Sequence, residues 1–223
     1  MAIAFDTATN YDSGGNESTS TISHTATGSN LCVVVVIRRN TTGDDVSGVT
    51  WNGTAMARIG SYINGGAAGD SGYVYAIVNA ASGTHDVVIS CVSASFGTNA
   101  RVGSYTGVAT TGLPDATAQN GPNAAATTLT QSVTTVADNC WVIALMRNTA
   151  GDFTAGANTT LRLTGNALSL ADTNAAQTPA GAHSLTATHG LAIDYIIAFS
   201  IAPFAAPAGV AQTNLLSLLG VGT

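Results

Sequence analysis

The sequence predicts an all-β protein, an antiparallel β-sandwich of jelly-roll type with about ten to twelve strands, and three observations carry that expectation. From Leu191 to Ile201 the odd positions read Leu191, Ile193, Tyr195, Ile197, Phe199 and Ile201 while the even ones include Asp194 and Ser200, a period of two with one apolar face. Turn clusters such as TATGSN, RNTTGDD, NAASG, DATAQNGPN, RNTAGD and TPAGAH cut the chain at the short spacing of a sandwich or barrel. No window of comparable length holds a helical stripe, and the abundant Thr, Val and Gly disfavour one.

Taken along the chain, VVVVI at 33–37 and WVIALM at 141–146 break the alternation by being apolar on both faces. Such strands belong in the middle of a sheet whose outer side is also covered, by a loop, an extra strand or another subunit. Tyr73 and Tyr75 share one strand face, as core residues do. Val87, Ile89 and Cys91 alternate with Val88, Ser90 and Val92, and Leu129, Gln131, Val133 and Thr135 form a further period of two. The expected sandwich covers residues 1–203, with internal halves near 1–110 and 111–203, and residues 204–223 stand apart as a C-terminal apolar arm.

The halves are suggested by a repeat. CVVVVIRRNTTGD from Cys32 matches CWVIALMRNTAGD from Cys140 without a gap, 108 positions on. Both copies place Arg-Asn-Thr-x-Gly-Asp where an apolar strand ends. Those residue types suit a tight turn: Asn and Asp cap amides, Gly takes positive φ, and Arg marks the solvent boundary. The equivalent reading puts Cys32 and Cys140 in matching positions of two half-domains. A calcium site at Asp44, Asp45 and Asp152 would need alternating oxygen ligands that neither turn supplies.

A chain of 223 residues at 45% hydrophobic has ample material for one core. Its charge is thin, 8% of residues, with six Arg, no Lys and a formal charge of -6. The only adjacent cations, Arg38 and Arg39, end an apolar run, so nucleic acid is not an expected partner, and neither is an anionic membrane surface. The start lacks a cationic, apolar leader and no stretch is apolar enough to span a bilayer, so secretion through a signal peptide is not expected. Cys32, Cys91 and Cys140 do not form a disulfide framework; they read as small buried hydrophobes, with a Cys32–Cys140 bridge as the alternative.

Several words resemble chemistry. GDSG at 69–72 matches the nucleophile loop of chymotrypsin-like proteases, but Ser71 lacks the expected histidine context, with only His24 upstream. His183, His189 and Asp194 form a loose H-x5-H-x4-D in which Asp194 falls on the strand face opposite His189, so no metal site is expected there. His85 reads as an exposed residue flanking a hairpin. Trp51, Tyr62, Tyr73 and Tyr75 could form a carbohydrate platform, but their spacing favours core packing. Sequons at Asn16, Asn40, Asn52 and Asn158 are unsurprising in so Asn- and Thr-rich a chain. No cofactor and no catalytic residue is expected.

The last stretch, FAAPAGVAQTNLLSLLGVGT, leads through a Pro/Ala spacer to Leu215, Leu216, Leu218 and Leu219. This cluster is too short to cross a bilayer and needs cover, which makes the four leucines the expected partner-binding residues.

The start MAIAFDTATNYDSGG, the strand SHTATGSNLCVVVVIRRN, VTWNGTAM, YAIVNAASGTHDVVIS and SYTGVATTGLPDA together resemble a β-sandwich module of tailed-bacteriophage virion proteins and bacterial surface proteins. The likeness covers most of residues 1–203 and carries no site residues. It implies a non-enzymatic role in the virion, as capsid decoration or as a head or tail fibre component. The partners would be other copies of itself and other virion proteins such as the major capsid protein. The alternative is a receptor- or glycan-binding adhesion module directed at a host-surface glycan. A virion protein made in the host cytoplasm needs no signal peptide and keeps its cysteines reduced.

Overall fold

The computed structural model describes residues 1–63 and 69–205, with the backbone alone at 123–125. It is an antiparallel all-β sandwich. Nine strands come from the first part of the chain: β1 (Ala4–Asp12), β2 (Thr19–Ala26), β3 (Cys32–Arg39), β4 (Val46–Trp51), β5 (Thr54–Ala55), β6 (Ala57–Tyr62), β7 (Ser71–Val78), β8 (Gly83–Cys91) and β9 (Thr98–Thr106). Six follow: β10 (Ala116–Thr134), β11 (Trp141–Asn148), β12 (Thr154–Ala155), β13 (Thr160–Gly165), β14 (Leu168–Asp172) and β15 (Ala182–Ile201). The total of fifteen among the described residues exceeds the expected ten to twelve. β5 and β12 are two residues long, and β6 and β13 carry no clean alternation to betray them.

Pairing is nested, last strand against first. In the first half β1 pairs β9, β2 pairs β8, β3 pairs β7 and β4 pairs β5, which gives an inner sheet β1-β9-β3-β7-β6 and an outer sheet β2-β8-β4-β5. That is the wrap of a jelly roll. The second half repeats it with fewer breaks. The order β10-β15-β11-β14-β13 matches the first inner sheet, while the far ends of β10 and β15, joined by β12, match the first outer one. Here β10 and β15 each run through both sheets, bending at register shifts between Asn120 and Thr128. At the bend Gly121 has φ 112°, and a Cβ there would stand 2.6 Å from Tyr195 Cβ and 2.7 Å from the Asp194 carbonyl oxygen, a space only glycine fits.

The two inner sheets lie face to face. Cys32, Val34 and Val36 of β3 meet Trp141, Ile143 and Leu145 of β11, with Leu168, Leu170, Ile197 and Phe199, in one apolar cluster. The other face of β3, Val33, Val35 and Ile37, packs on the outer-sheet residues Ile22, Val49, Trp51, Val87 and Ile89. The other face of β11, Val142, Ala144 and Met146, packs on Leu129, Val133, Leu185 and Ala187 from the bent ends. Both doubly apolar strands are thus covered by layers of their own chain. Each fully buried Val or Ile contributes about 1.5–3 kcal/mol, so β3 alone anchors both interfaces.

The repeat marks equivalent strands but slips by one residue. Face by face, Cys32 corresponds to Trp141 and Val33 to Val142, an offset of 109, because Cys32 and Trp141 both point into the cluster between the halves. Cys140 precedes β11, bridges to Gln177, and is not the counterpart of Cys32. A one-residue slip sends every side chain to the other face. Thus Arg39 points toward its own outer sheet, Arg147 points between the halves, and the real partner of Arg147 is Arg38.

The arginines correct the expectation that they mark a solvent boundary. Arg38 Nε donates to Asp70 Oδ2 at 2.9 Å, and Arg147 of the other half donates to the same oxygen, with Asp70 fully buried. Arg39, also fully buried, pairs with Asp45 and donates to the carbonyls of Phe96 and Ser93 at 2.7 and 2.8 Å. Arg162 grips Asp172 with two bonds of 2.6 and 2.9 Å and stacks 4.1 Å over Phe5 of the first half, while Tyr105 Oη donates to Asp172 across the interface at 3.0 Å. Arg101 pairs with Asp12 and donates to the Gly165 carbonyl at 2.6 Å, again joining the halves. Arg58 closes on Asp44 with bonds of 2.8 and 3.0 Å. All six arginines are engaged. The three thiols are free, and burial pushes Cys32 and Cys140 up to about 12, so neither offers a thiolate.

Two tests follow from the charges. Asp70→Asn leaves two guanidinium groups without their carboxylate inside the interface and is expected to destabilise the protein by roughly 3–5 kcal/mol, read by urea denaturation; a loss below about 1 kcal/mol contradicts the bridging role. His24, buried under the first outer sheet with Nδ1 2.8 Å from Thr9 Oγ1, is held below its ordinary value of 6.5 by burial, partly opposed by Asp6. The unfolded chain therefore takes up this proton first, and stability falls as pH drops below 6.5 toward the folded-state value. His24→Phe should flatten that slope in melts between pH 7 and 5, and an unaltered slope counts against it.

Candidate functional site

One concavity lies where the last described residues return to the start of the chain. Pro203 forms a bridge with Val108, Phe204 N donates to the Gly107 carbonyl at 2.7 Å, and the Met1 ammonium donates to the Phe204 carbonyl at 2.7 Å. These bonds carry the last described residues back to the start of β1. Beside them opens a pocket of about 540 Å³ whose walls are Met1, Ala2 and Ile3 on one side and Trp141 with Pro203 and Phe204 on the other. Ala175 and Ala176 form an exposed lip and Asn139 supplies an amide. No lining side chain is ionisable, so the pocket suits aliphatic or aromatic groups. The expected partner-binding residues Leu215, Leu216, Leu218 and Leu219 lie outside the described residues, as does the arm beyond Ala205.

The residues singled out for chemistry are spent on framework. Ser71 opens β7, is fully buried, and donates to the Thr41 carbonyl at 2.9 Å. Each histidine has its own local contact: His24 to Thr9, His85 Nε2 to the Ser82 carbonyl at 3.2 Å, His183 Nε2 to the Pro179 carbonyl at 2.9 Å, and His189 to Asp194. His85 is not an exposed hairpin flank. It sits within β8, half-buried, with its ring edge-on to Trp51 at 5.3 Å.

The His189–Asp194 relation is also corrected. Their side chains meet at 2.8 Å inside the protein, with His189 Nδ1 2.7 Å from the Gly190 carbonyl and the ring edge-on to Phe153. On β15 Thr188 and Ala192 oppose Thr128 and Ala126, so the segment between them bulges as the strand changes sheets, and simple alternation fails there. The alternation in the last strand predicts that Asp194 and Ser200 lie on its polar side. Both are buried, because the bent ends cover that face, and Ser200 Oγ donates to Asp115 Oδ2 at 2.9 Å. Asp44 and Asp45 are held by Arg58 and Arg39, and Asp152 stays exposed apart from them. Among the described residues no group of three or more His, Cys, Asp and Glu side chains is placed to hold a metal.

Of the aromatic candidates, Trp51, Tyr73 and Tyr75 are buried and Tyr62 stacks on Tyr195 at 4.5 Å, which removes them as an exposed platform. The outer surface is instead lined with hydroxyls. Thr19, Thr21, Ser23 and Thr25 of β2 are exposed, and so are Thr128, Thr130, Ser132 and Thr134 of β10. The shared word T-x-T-x-S-x-T, at the offset of 109, was present in the sequence and is the sharper signature of the repeat. On the first outer sheet one of these hydroxyls, that of Ser23, lines a groove of about 460 Å³ together with Thr50, Asn52, Thr84, His85 and Asp86. No protein-family model, no curated protein and no solved structure matches this chain significantly.

Proposed function

We propose that this chain is a non-enzymatic structural protein of a virion, a capsid decoration protein or a head or tail fibre component, held by contacts with its own copies and with other virion proteins such as the major capsid protein. The observation that carries this reading is where the reactive groups are spent. Six arginines are consumed in ion pairs, and Ser71 and the histidines are bonded within or between strands, so the chemistry-bearing residues serve as joints of a layered block. What the described residues of the block offer outward includes hydroxyl-lined faces and pockets lined largely by apolar side chains. That surface suits association by packing, and engagement of every cation disfavours a nucleic-acid partner. The resemblance of the strand words to phage virion modules points the same way, and on this reading the protein is located in the virion.

A second reading has its own observation. In the groove on the first outer sheet, Asp86 is flanked by the hydroxyls of Ser23, Thr50 and Thr84 and the amide of Asn52, a set able to bond the hydroxyls of a host-surface glycan. A glycan array separates the readings: binding abolished by Asp86→Ala favours adhesion, and a blank array favours the structural role.

Deleting residues 207–223 should leave the thermal melt of the sandwich in place, because Pro203 and Phe204 already close it against Val108 and Gly107. Attachment to the native particle, measured by co-sedimentation, should weaken at least about tenfold, the equivalent of one buried leucine or less. A truncated chain that unfolds places the arm in the core. One that still attaches at full strength moves the assembly contact elsewhere, and no association of the full chain with particles overturns the virion reading.

A further inference from the structure

We propose that the open edge of β2 is where this chain pairs with a second copy of itself, β2 against β2 in antiparallel register, so that two first outer sheets join into one. The use of that contact in an assembly rests on the structural role above; the pairing itself does not.

The edge is open in a definite phase. β2 ends the sheet β2-β8-β4-β5, and its ladder runs from Thr19 opposite Ser90 to Ala26 opposite Gly83 without a register shift. One step before it, Cys91 N donates to the Ser18 carbonyl at 2.8 Å. Hydrogen-bonded and non-bonded residues alternate along an antiparallel ladder, so the even residues of β2 spend their backbone groups on β8. Thr19, Thr21, Ser23 and Thr25 therefore turn both N–H and C=O to the open side, about 7 Å apart along the strand. Beyond them the Thr27 amide donates to Asp6 Oδ2 at 2.8 Å, which bounds the free stretch.

Comparable edges are blunted. In the second half the far end of β10 has the same phase, because Thr135 N donates to the Gly181 carbonyl and the even residues face outward. There the Ser132 carbonyl accepts from Gln131 Nε2 at 2.7 Å, and the Thr130 carbonyl accepts from Asn120 Nδ2 at 3.5 Å. At the other end of the first outer sheet the Val46 carbonyl accepts from Arg58 and the Val49 carbonyl from Met56 N. Among the described residues no side chain caps the carbonyls of Thr19, Thr21, Ser23 or Thr25 in this way.

Self-complementarity selects the occupant. With a two-fold axis at Ile22, Thr19 lies opposite Thr25 of the second copy and Thr21 lies opposite Ser23, and each outward N–H meets a carbonyl. On the exposed face these pairs set hydroxyl against hydroxyl, which can hydrogen-bond across the strands. No Asp, Glu, Lys or Arg lies between Thr19 and Thr25, so the edge selects neither an acidic nor a basic peptide. Asp86, opposite Ser23 on β8, would be three strand spacings from its copy, about 14 Å, beyond the screening length of about 8 Å. A ladder this short buries less than a standard interface, so the dissociation constant in solution is expected at about 10–100 µM. Copies held side by side on a particle reach effective concentrations of order millimolar, where such a contact is filled.

The test is self-association of the full chain. Sedimentation equilibrium should show monomer and dimer exchanging in that range. Amide exchange followed by NMR should slow at Thr19, Thr21, Ser23 and Thr25 by about threefold or more between dilute and ~500 µM protein, while the even residues of β2, already bonded to β8, change little. Thr21→Pro removes an outward N–H and leaves the bonds to β8 in place. It should weaken the dimer by about tenfold or more with the melt retained, whereas Thr130→Pro on β10 should leave the dimer unaltered. A chain that stays monomeric at ~1 mM overturns the proposal, as does a dimer whose outward amides exchange as fast as in the monomer. A dimer that survives Thr21→Pro in folded protein overturns it as well; if that variant does not fold, the exchange pattern of the unaltered chain decides. Particle co-sedimentation tests the virion role separately, so a dimer that ignores particles refutes that role and leaves the pairing standing.

Discussion

The structure depends on one apposition, that of the two inner sheets across a shared apolar layer. β3 has no solvent face because one side meets the other half and the other side meets its own outer sheet, and β11 is placed in the same way. A jelly roll normally buries one face of each sheet. Stacking two of them by their inner sheets turns the central strands into interior elements, and their sequence must then be apolar at every position. VVVVI and WVIALM follow from that constraint. So does the close approach of small residues: a Cβ on Gly60 would stand 2.8 Å from Ile197, and one on Gly72 would stand 2.5 Å from the ring of Tyr195, both across the same interface.

Polar groups in such a layer must be paired, and the arginines meet that demand from both sides. Asp70 accepts from Arg38 of one half and Arg147 of the other, and Asp172 accepts from Arg162 and from Tyr105 of the facing sheet. Buried ion pairs add less to stability than their number suggests, because desolvation offsets attraction. Their value is positional: a guanidinium with a fixed fork admits few alternative registers. A chain with little charge that spends its cations this way keeps a surface of hydroxyls, amides and a few carboxylates. Lysine, whose ammonium is a strongly hydrated point charge, would serve these joints poorly, which fits its absence from the sequence.

The fold class was legible because period two and turn chemistry are local. Asparagine marks many of the turns: Asn30, Asn52, Asn79, Asn139, Asn158, Asn166 and Asn174 all take positive φ, which a short amide side chain tolerates. The covered faces of β3 and β11 were equally legible from composition. What failed were inferences that need phase. The ungapped word at offset 108 is better matched letter by letter than the true offset of 109, so it misassigned Cys140 and exchanged the roles of Arg38 and Arg39. The hydroxyl word T-x-T-x-S-x-T holds the correct phase, since those residues must face water in both halves. His189 and Asp194 meet because β15 bulges where it changes sheets, and a bulge leaves no mark in apolar periodicity. The chain-end pocket was invisible for a different reason, being assembled from segments at opposite ends of the chain.

The sheet edges decide which surfaces remain for association. An unbroken edge strand invites another chain to add to the sheet. Here β1 shifts register between Phe5 and Thr7, β6 between Arg58 and Gly60, β13 between Leu161 and Leu163, and β10 repeatedly between Asn120 and Thr128. These are the outermost strands of the inner sheets. Charged groups accompany the irregularities: Asp6 lies in the first, Arg58 borders the second and Arg162 sits within the third. Bulges twist an edge away from straight pairing, and a charge beside them penalises burial against a neighbour. Growth by strand addition along these sheets is therefore disfavoured. The edge that keeps a straight ladder is β2 of the first outer sheet, whose pairing with β8 runs from Thr19 to Ala26 without a register shift and whose exposed side chains are the hydroxyls of Thr19, Thr21, Ser23 and Thr25.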